Sequence, residues 1–146
     1  LHPDDQGVFE EDLDYVAELP QEIDIYTMLA QADVLISDYS SIIFDYMLLN
    51  RPIVYYLPDL EEFVASSRSL NFDPFEIAAG PVCMNGEELL KALAGIAAGT
   101  NKSAEQDARW LEIRHRFNTF ADGESSQRVL DAIDRNVLND RIASGR

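Results

Sequence analysis

Two short apolar segments, each bounded by turn-forming residues, restrict the fold of this chain more than any other feature. They read DVLIS at 33–37 and PIVYYL at 52–57, and they have the β-rich composition of buried parallel strands. The segment between them is typical of a helix that ends before Pro52, because a proline disfavours helical geometry in the residue that precedes it. Strands that alternate with helices predict an α/β layered domain with a mostly parallel sheet.

Weaker patterns complete the predicted order of elements. Strands are predicted at 15–19 and 81–84, a short acidic helix or turn at 58–63, and an irregular loop at 66–80. Helices are predicted at 24–31, 41–50, 87–98, 104–120 and 125–138, the first with Asp24 as its N-cap and the third closed by Gly99. We therefore predict a single domain over 1–146, with an α/β core at 1–100 and C-terminal helices at 101–146.

Composition restricts the possible partners. A formal net charge of −16 argues against nucleic acid and against direct docking on anionic lipid, because both require a basic surface. The single cysteine, Cys83, can form no internal disulfide, which favours a reducing compartment. No apolar run approaches the roughly 20 residues that a membrane-spanning helix needs.

The charges are also unevenly distributed along the chain. Residues 1–50 contain twelve Asp and Glu and no Lys or Arg, and the first basic side chain is Arg51. If this part of the chain binds a phosphate, it must use backbone amides, hydroxyl groups and His2, or obtain cations from elsewhere in the sequence.

The stretch SDYSS at 37–41 places two adjacent serines where a predicted strand becomes a helix. Ligands of open parallel sheets bind beyond the carboxyl ends of the strands, and a helix N-terminus offers unpaired N–H groups to an anion. Ser40 and Ser41 would add hydroxyl donors, which allows phosphate binding without a basic side chain. The alternative is an ordinary helix cap, because serine is a favoured N-cap residue; the two roles are compatible.

Asp45 is the one charged residue in the run IIFDYMLLN at 42–50, whose apolar composition predicts a buried helix. It follows Ser41 by four residues and therefore lies on the same helix face. A buried carboxylate needs partners and repels phosphate, so we expect Asp45 to accept hydrogen bonds from ribose or polyol hydroxyls. A structural role, accepting from backbone N–H groups or a distant arginine, stays open as the alternative.

Residues 32–63, ADVLISDYSSIIFDYMLLNRPIVYYLPDLEEF, resemble the signature of the CDP-glycerol glycerophosphotransferases of teichoic acid synthesis. That signature consists of an apolar strand, Ser/Thr-Asp-Tyr-Ser-Ser, Phe-Asp, and a basic residue with proline before the next strand. ADGESSQRVLDAI at 121–133 resembles the family's Asp-Gly-x-Ala-Ser-x-Arg segment, with Ser125 where alanine is commoner. LHPDD at the beginning resembles the end of its Arg-x-His-Pro motif.

The resemblance implies a fold and a site. The family is similar to two-domain GT-B glycosyltransferases, so the chain would form most of the C-terminal, donor-binding half, a Rossmann-like three-layer domain. By the same resemblance, His2, Ser40 and Ser41 would contact the donor's phosphates, and Asp45 would also line the donor site. The family's proposed catalytic base is a histidine in a His-Gly-Thr-Pro motif that this sequence lacks. We therefore expect a fragment of a larger enzyme, inactive by itself.

The implied reaction moves glycerol phosphate from CDP-glycerol to a lipid-linked or polymer hydroxyl and releases CMP. Positioning and charge neutralisation would dominate such a phosphoryl transfer. We expect no metal site and no cofactor, since CDP-glycerol is a substrate. We expect a cytoplasmic enzyme that is peripheral on the inner face of the bacterial plasma membrane through other regions of the parent protein.

Two other functions stay open. A GT-B glycosyltransferase that uses a nucleotide-sugar would share the Rossmann-like half, and a non-catalytic α/β interaction domain would have the fold without a donor site. Further residues are expected to have structural roles: His115 on the surface or between helices, Arg128 in an ion pair, Cys83 as a buried hydrophobe, and Tyr55 and Tyr56 in the core, where one of them could approach the cytidine or the glycerol.

Overall fold

The structure is a computed structural model and describes residues 16, 17, 20, 22–66, 70–100 and 103–135. Residues 1–31 and 32–146 form two units. The first contains helix α1 (Ile25–Leu29). Asp24 caps this helix as predicted, because its carboxylate accepts a hydrogen bond from the Tyr26 N–H at 3.2 Å. The strand predicted at 15–19 falls largely outside the described residues.

Within the described residues, the second unit contains a three-stranded parallel sheet, as the sequence predicts. The strands β1 (Leu35–Ser37), β2 (Ile53–Tyr56) and β3 (Val82–Cys83) lie in that order across the sheet. The first three residues of the central strand β2 are at most 1% exposed. Burial of the strand on both faces accounts for its continuous apolar sequence. The strand predicted at 81–84 is present as β3, which is two residues long.

The described helices of the second unit are, in chain order, α2 (Ile42–Tyr46), α3 (Leu60–Ala65), α4 (Pro74–Ile77), α5 (Gly86–Ala97), α6 (Ala104–Phe117) and α7 (Ser125–Ile133). None of them, in the part of the chain that the structure describes, is long and apolar enough to cross a membrane. Helix α4 corrects the prediction of an irregular loop at 66–80. Asp73 accepts a hydrogen bond from the Phe75 N–H at 2.9 Å, and Pro74 occupies the first turn, where its missing N–H costs nothing.

The crossover from β1 to β2 is closed by hydrogen bonds to one carbonyl oxygen. The Tyr46 hydroxyl donates to the Ala32 oxygen at 2.8 Å, and Arg51 Nη1 donates to the same oxygen at 2.7 Å. Tyr46 has no exposed surface, and burial raises its pKa.

The helix predicted at 41–50 is divided in the structure. A 3-10 turn (Met47–Leu49) follows α2, and Asn50, with φ 55° in the left-handed region, ends that turn.

The core of the second unit is formed by α2, the 3-10 turn, β2, β3 and α6. Its fully buried side chains are Tyr46, Met47, Ile53, Val54, Tyr55, Leu57, Cys83 and Ile113. Cys83 is a buried free thiol, as predicted, and burial raises its pKa. His115 is exposed on α6, which confirms its predicted place on the surface. The predicted boundary near residue 100 stays a prediction.

Arg128 on α7 forms the ion pair that the sequence analysis expects. Its guanidinium donates to the Asp122 carboxylate and lies over the Phe120 ring, 4.0 Å from the ring centre. The hydrogen bond from Arg128, together with one from the Glu124 N–H, lowers the pKa of Asp122. The pair links the loop before α7 to the helix itself.

A methyl group has less room at Gly80 than at Gly86, Gly99 or Gly123. A Cβ there would lie 2.0 Å from the Ile53 carbonyl oxygen, so the backbone would have to move. We expect Gly80→Ala to lower the free energy of unfolding by about 1–3 kcal/mol. In the control Gly86→Ala, the new Cβ meets nothing within 4 Å and should stabilise by about 0.4–1 kcal/mol. Urea unfolding measures both, and equal stabilities would contradict this account of Gly80.

The Asp122–Arg128 pair should make stability depend on pH in the acid range. Because the folded-state pKa of Asp122 is lowered, its contribution is present above the unfolded value of about 3.9 and is lost as pH falls through the folded value. Asp122→Asn should therefore flatten the acid limb of the free energy of unfolding, with the two curves converging at low pH. Arg128→Gln, which removes the partner, should have the same effect. Curves for wild type and Asp122→Asn that stay parallel in urea unfolding across this range would contradict the assignment.

Candidate functional site

The serine-rich stretch lies at the carboxyl end of β1, where the sequence predicts a ligand site. Ser37 ends the strand, and α2 begins at Ile42. The Asp38 carboxylate accepts a hydrogen bond from the Ser40 N–H at 3.2 Å, and Ser40 Oγ accepts one from the Ile42 N–H at 3.4 Å. These two local bonds form a tight turn that leaves Ser40 and Ser41 exposed.

The two serine hydroxyls have different surroundings. Ser41 precedes α2 directly, but its backbone is already helical (φ −67°, ψ −12°) and its side chain makes no capping hydrogen bond. Ser40 instead supplies the oxygen that receives the Ile42 N–H. Because α2 has only five residues, its dipole is small, and the serine hydroxyls are the more substantial feature of this turn. Ser41 is therefore the better placed of the two to offer its hydroxyl to a ligand.

Both serines line a cavity of about 210 Å³. Its wall is contributed by the turn after β1, α2, β2, residues 70–72 and α4, and it includes Asp38, Tyr39, Ser40, Ser41, Phe44, Tyr55, Asn71 and Phe72. Hydroxyl, amide and aromatic groups converge there, as they do in sites for ligands that have both polar and apolar parts.

A larger cavity, of about 430 Å³, lies at the other end of the strands, beside Ile53 and Pro81 where β2 and β3 begin. Its wall includes Arg51, Asp107 and Trp110. Since ligands of open parallel sheets bind at the carboxyl ends of the strands, the smaller cavity beside the serines is the candidate site.

Tyr39 connects the serine turn to the segment that follows β2. Its hydroxyl donates to Asp59 Oδ1 at 3.0 Å, and its ring stacks on Phe63 of α3 with 3.8 Å between ring centres and 17° between planes. Burial, the hydrogen bond to Asp59 and the charges of Asp59 and Asp38 raise the pKa of Tyr39. The hydrogen bond and the ring stack hold the serine turn against the beginning of α3.

An aromatic cluster supports the cavity wall on the side of α6. Phe117 lies 4.3 Å from Phe44 and 5.1 Å from Phe72 between ring centres, the second pair edge to face. Next to it, the Asn118 side-chain amide donates to the Phe44 carbonyl oxygen at 2.8 Å, across 74 residues of sequence. This bond coincides with the end of α6 at Phe117, three residues before the predicted end. The C-terminal end of α6 is thereby fixed beside the candidate site.

Tyr55 belongs both to the core and to the cavity wall. It is 1% exposed, its hydroxyl accepts a hydrogen bond from the Ala79 N–H at 3.3 Å, and burial raises its pKa. The expected packing role is confirmed. Tyr55 is also the one of the two tyrosines that lines the cavity, whereas Tyr56 does not.

Asp45 corrects one expectation about α2. The residue is exposed, because the helix buries only the side that carries Ile43 and Tyr46 and leaves the opposite side in contact with solvent. Asp45 is not among the residues that line the cavity, so its contact with donor hydroxyls stays a prediction. His2, the other residue that the sequence assigns to the donor, lies outside the described residues.

The chain is similar in sequence to a known protein family and to several of its characterised members. The family model for "CDP-Glycerol:Poly(glycerophosphate) glycerophosphotransferase" matches residues 1–135. The chain is 36% identical over 126 residues to a teichoic acid ribitol-phosphate primase of Bacillus spizizenii, which covers 85% of this chain and 30% of that protein. It is 30% identical over 120 residues to a teichoic acid glycerol-phosphate transferase of Staphylococcus aureus, which covers 82% and 30%. The chain thus spans about 30% of the length of these relatives.

Among solved structures, the wall teichoic acid polymerase TagF is similar to this chain. The TM-score is 0.62 at 24% sequence identity, and the match covers 82% of this chain and 29% of TagF. The likeness confirms the predicted α/β fold of the GT-B type. Because the family model extends from residue 1 to residue 135 of 146, the chain belongs to the CDP-glycerol:poly(glycerophosphate) glycerophosphotransferase family.

Proposed function

We propose that this chain is the donor-binding part of a transferase that moves glycerol phosphate from CDP-glycerol to an acceptor hydroxyl and releases CMP. The observation that carries the proposal is the cavity at the carboxyl end of β1, where Ser40 and Ser41 meet aromatic side chains, in a member of this family. Because the chain spans about 30% of the length of its relatives, the activity is proposed for the complete enzyme.

The composition of the cavity wall fits the parts of such a donor. The Ser41 hydroxyl, which does not cap its helix, donates to a phosphate oxygen, and a charged acceptor strengthens that bond. Phe44 and Phe72 offer ring surface to the cytosine base. We include His2 as a phosphate contact and Asp45 as an acceptor for donor hydroxyls, both on the resemblance of their motifs to those of the family.

The proposed transfer replaces one phosphorus–oxygen bond by another. The acceptor oxygen attacks the β-phosphorus of CDP-glycerol, the bond from this phosphorus to the bridging oxygen breaks, and CMP leaves with the electron pair. Holding the diphosphate in one orientation and neutralising its charge are the contributions expected of this part of the enzyme. The base that accepts the proton of the attacking hydroxyl is assigned to another part of the enzyme, since the family's His-Gly-Thr-Pro motif does not occur here.

A ribitol phosphate donor is the second candidate, because a relative at 36% identity is named a ribitol-phosphate primase. For either polyol, we propose a lipid-linked or polymer acceptor, as the names of the relatives concern teichoic acid. We further propose peripheral attachment to the inner face of the plasma membrane through other regions of the parent, because a net charge of −16 disfavours contact of this chain with anionic lipid.

Titration of the isotope-labelled chain with CDP-glycerol, CDP-ribitol, CMP and UDP-glucose tests the proposal. We expect the cytidine ligands to shift the backbone amide resonances of residues 40–45 and UDP-glucose to leave them unchanged. A preference for UDP-glucose would favour a nucleotide-sugar glycosyltransferase. The absence of any response up to millimolar concentration would favour an interaction domain, and either result would contradict the proposed donor.

Ser41→Ala should weaken donor binding without weakening the fold. The hydroxyl makes no capping bond, whereas a hydrogen bond to a charged phosphate contributes about 1.5–3 kcal/mol, so the Kd for CDP-glycerol should rise about 10- to 150-fold. Ser103→Ala is the matched control, because Ser103 caps α6 by accepting from the Gln106 N–H at 3.2 Å. It should lower the free energy of unfolding by about 1 kcal/mol and leave the Kd unchanged.

The Ser41 assignment fails if Ser41→Ala binds CDP-glycerol as tightly as wild type. In the full-length enzyme, Ser41→Ala combined with Asp45→Asn should abolish transfer while the protein stays folded. Full activity in that double variant would remove both residues from the proposed site.

A further inference from the structure

A diphosphate donor carries negative charge toward a part of the chain that has no Lys or Arg of its own. Residues 1–50, which include the serine turn, contain twelve acidic residues and no Lys or Arg. Several described arginines are engaged by protein acceptors: Arg51 donates to the Ala32 carbonyl oxygen, Arg109 pairs with Glu112, and Arg128 pairs with Asp122. These three arginines therefore already have protein acceptors for their N–H groups.

Arg116 is not itself a lining residue of the cavity but contacts Phe72, which is one. It is an exposed residue in the last turn of α6, and its guanidinium carbon is 5.5 Å from the centre of the Phe72 ring and 5.3 Å from that of Phe117. Phe72 lines the cavity together with Ser41, and Phe117 contacts both Phe72 and the cavity-lining Phe44. The guanidinium thus rests on a ring that forms part of the cavity wall.

The contacts of Arg116 orient its charge without neutralising it. Aromatic ring faces attract a guanidinium through their quadrupole but carry no net charge. Within the described residues, the ion pairs of the structure involve Arg109 and Arg128 and not Arg116. Arginine stays charged at all physiological pH values, and its planar fork of N–H donors matches two oxygens of a phosphate. Arg116 is therefore an oriented cation that can still bind an anion.

We propose that Arg116 supplies the positive charge that binds the donor's diphosphate in this cavity. The inference rests on the proposed function and extends it, since neither the SDYSS motif nor the later DGESSQR segment includes this residue. Helix α6 is fixed at this end by the bond from Asn118 to the Phe44 carbonyl oxygen, so the cation has a defined position. Its contribution acts on phosphate groups and not on the base or the ribose.

Binding of a graded set of ligands to three variants tests the inference. Arg116→Met removes the charge but keeps a long apolar stem that can pack on both rings, and Arg116→Lys keeps the charge without the bidentate fork. Arg114→Met makes the same charge change two residues earlier, and residues two apart do not share a helix face. CDP-glycerol, CMP and cytidine are titrated in turn, following the amide resonances of residues 40–45.

We expect Arg116→Met to raise the Kd for CDP-glycerol at least about tenfold, to raise that for CMP by a smaller factor, and to leave cytidine unaffected. Arg116→Lys should fall between wild type and Arg116→Met, and Arg114→Met should match wild type. The salt dependence of CDP-glycerol binding should also decrease in Arg116→Met, because an ionic contact has been removed.

Each other result contradicts a defined part of the account. If Arg116→Met binds CDP-glycerol as wild type does, Arg116 is not the phosphate ligand, while the proposed donor function stands. If cytidine binding falls by the same factor, Arg116 acts by packing the aromatic wall and the inference is wrong. If wild type binds no cytidine nucleotide, the proposed function fails as well. Circular dichroism monitors folding. If Arg116→Met does not fold, Arg116→Gln removes the charge instead, and an unchanged CDP-glycerol-to-cytidine affinity ratio in that variant overturns the inference.

Discussion

The carbonyl oxygen of Ala32 is the point on which the position of the candidate site depends. It accepts hydrogen bonds from Tyr46 and Arg51, 14 and 19 residues later in the sequence. These bonds join the entry of β1 to the end of α2 and to the entry of β2. Because Tyr46 is fully buried, moving α2 would leave its hydroxyl unpaired, which is costly in the interior. The serine turn between β1 and α2 is therefore confined to the carboxyl end of the strand.

Two further tethers convert this turn into one wall of a cavity. On one side, the Tyr39 hydroxyl bonds to Asp59 and its ring stacks on Phe63. On the other, the Asn118 amide bonds to the Phe44 carbonyl oxygen. The groups that meet at the cavity come from segments far apart in sequence, and each segment is fixed by contacts of its own. Because these side chains are already ordered, they lose little further conformational entropy when they donate hydrogen bonds to a ligand.

The features that the sequence predicts are those that local chemistry determines. The parallel order of β1 and β2 follows from short apolar runs with helical segments between them, and the Asp24 cap follows from its own side chain. The sequence does not predict helix α4, because its Asp-Pro start lies within a loop-like composition. The sequence predicts a buried Asp45, although the residue is exposed, because an apolar run does not reveal which side of a helix meets the core. The Phe44–Phe117 contact could not be predicted, since its partners lie in separate helices and have no shared local pattern. The family, by contrast, follows from the motif residues themselves and is confirmed.

The acidic character of the chain changes how an anion can be bound here. At physiological ionic strength, charges farther than about 8 Å from the proposed donor are largely screened, so most of the net charge of −16 would act weakly on its diphosphate. Groups in contact with the phosphates then decide the affinity. Hydroxyl donors from the serine turn add no charge. An arginine held on aromatic rings would add one cation without needing a carboxylate partner that would compete with the ligand. A strongly acidic domain can in this way bind an anion through local contacts despite its net negative charge.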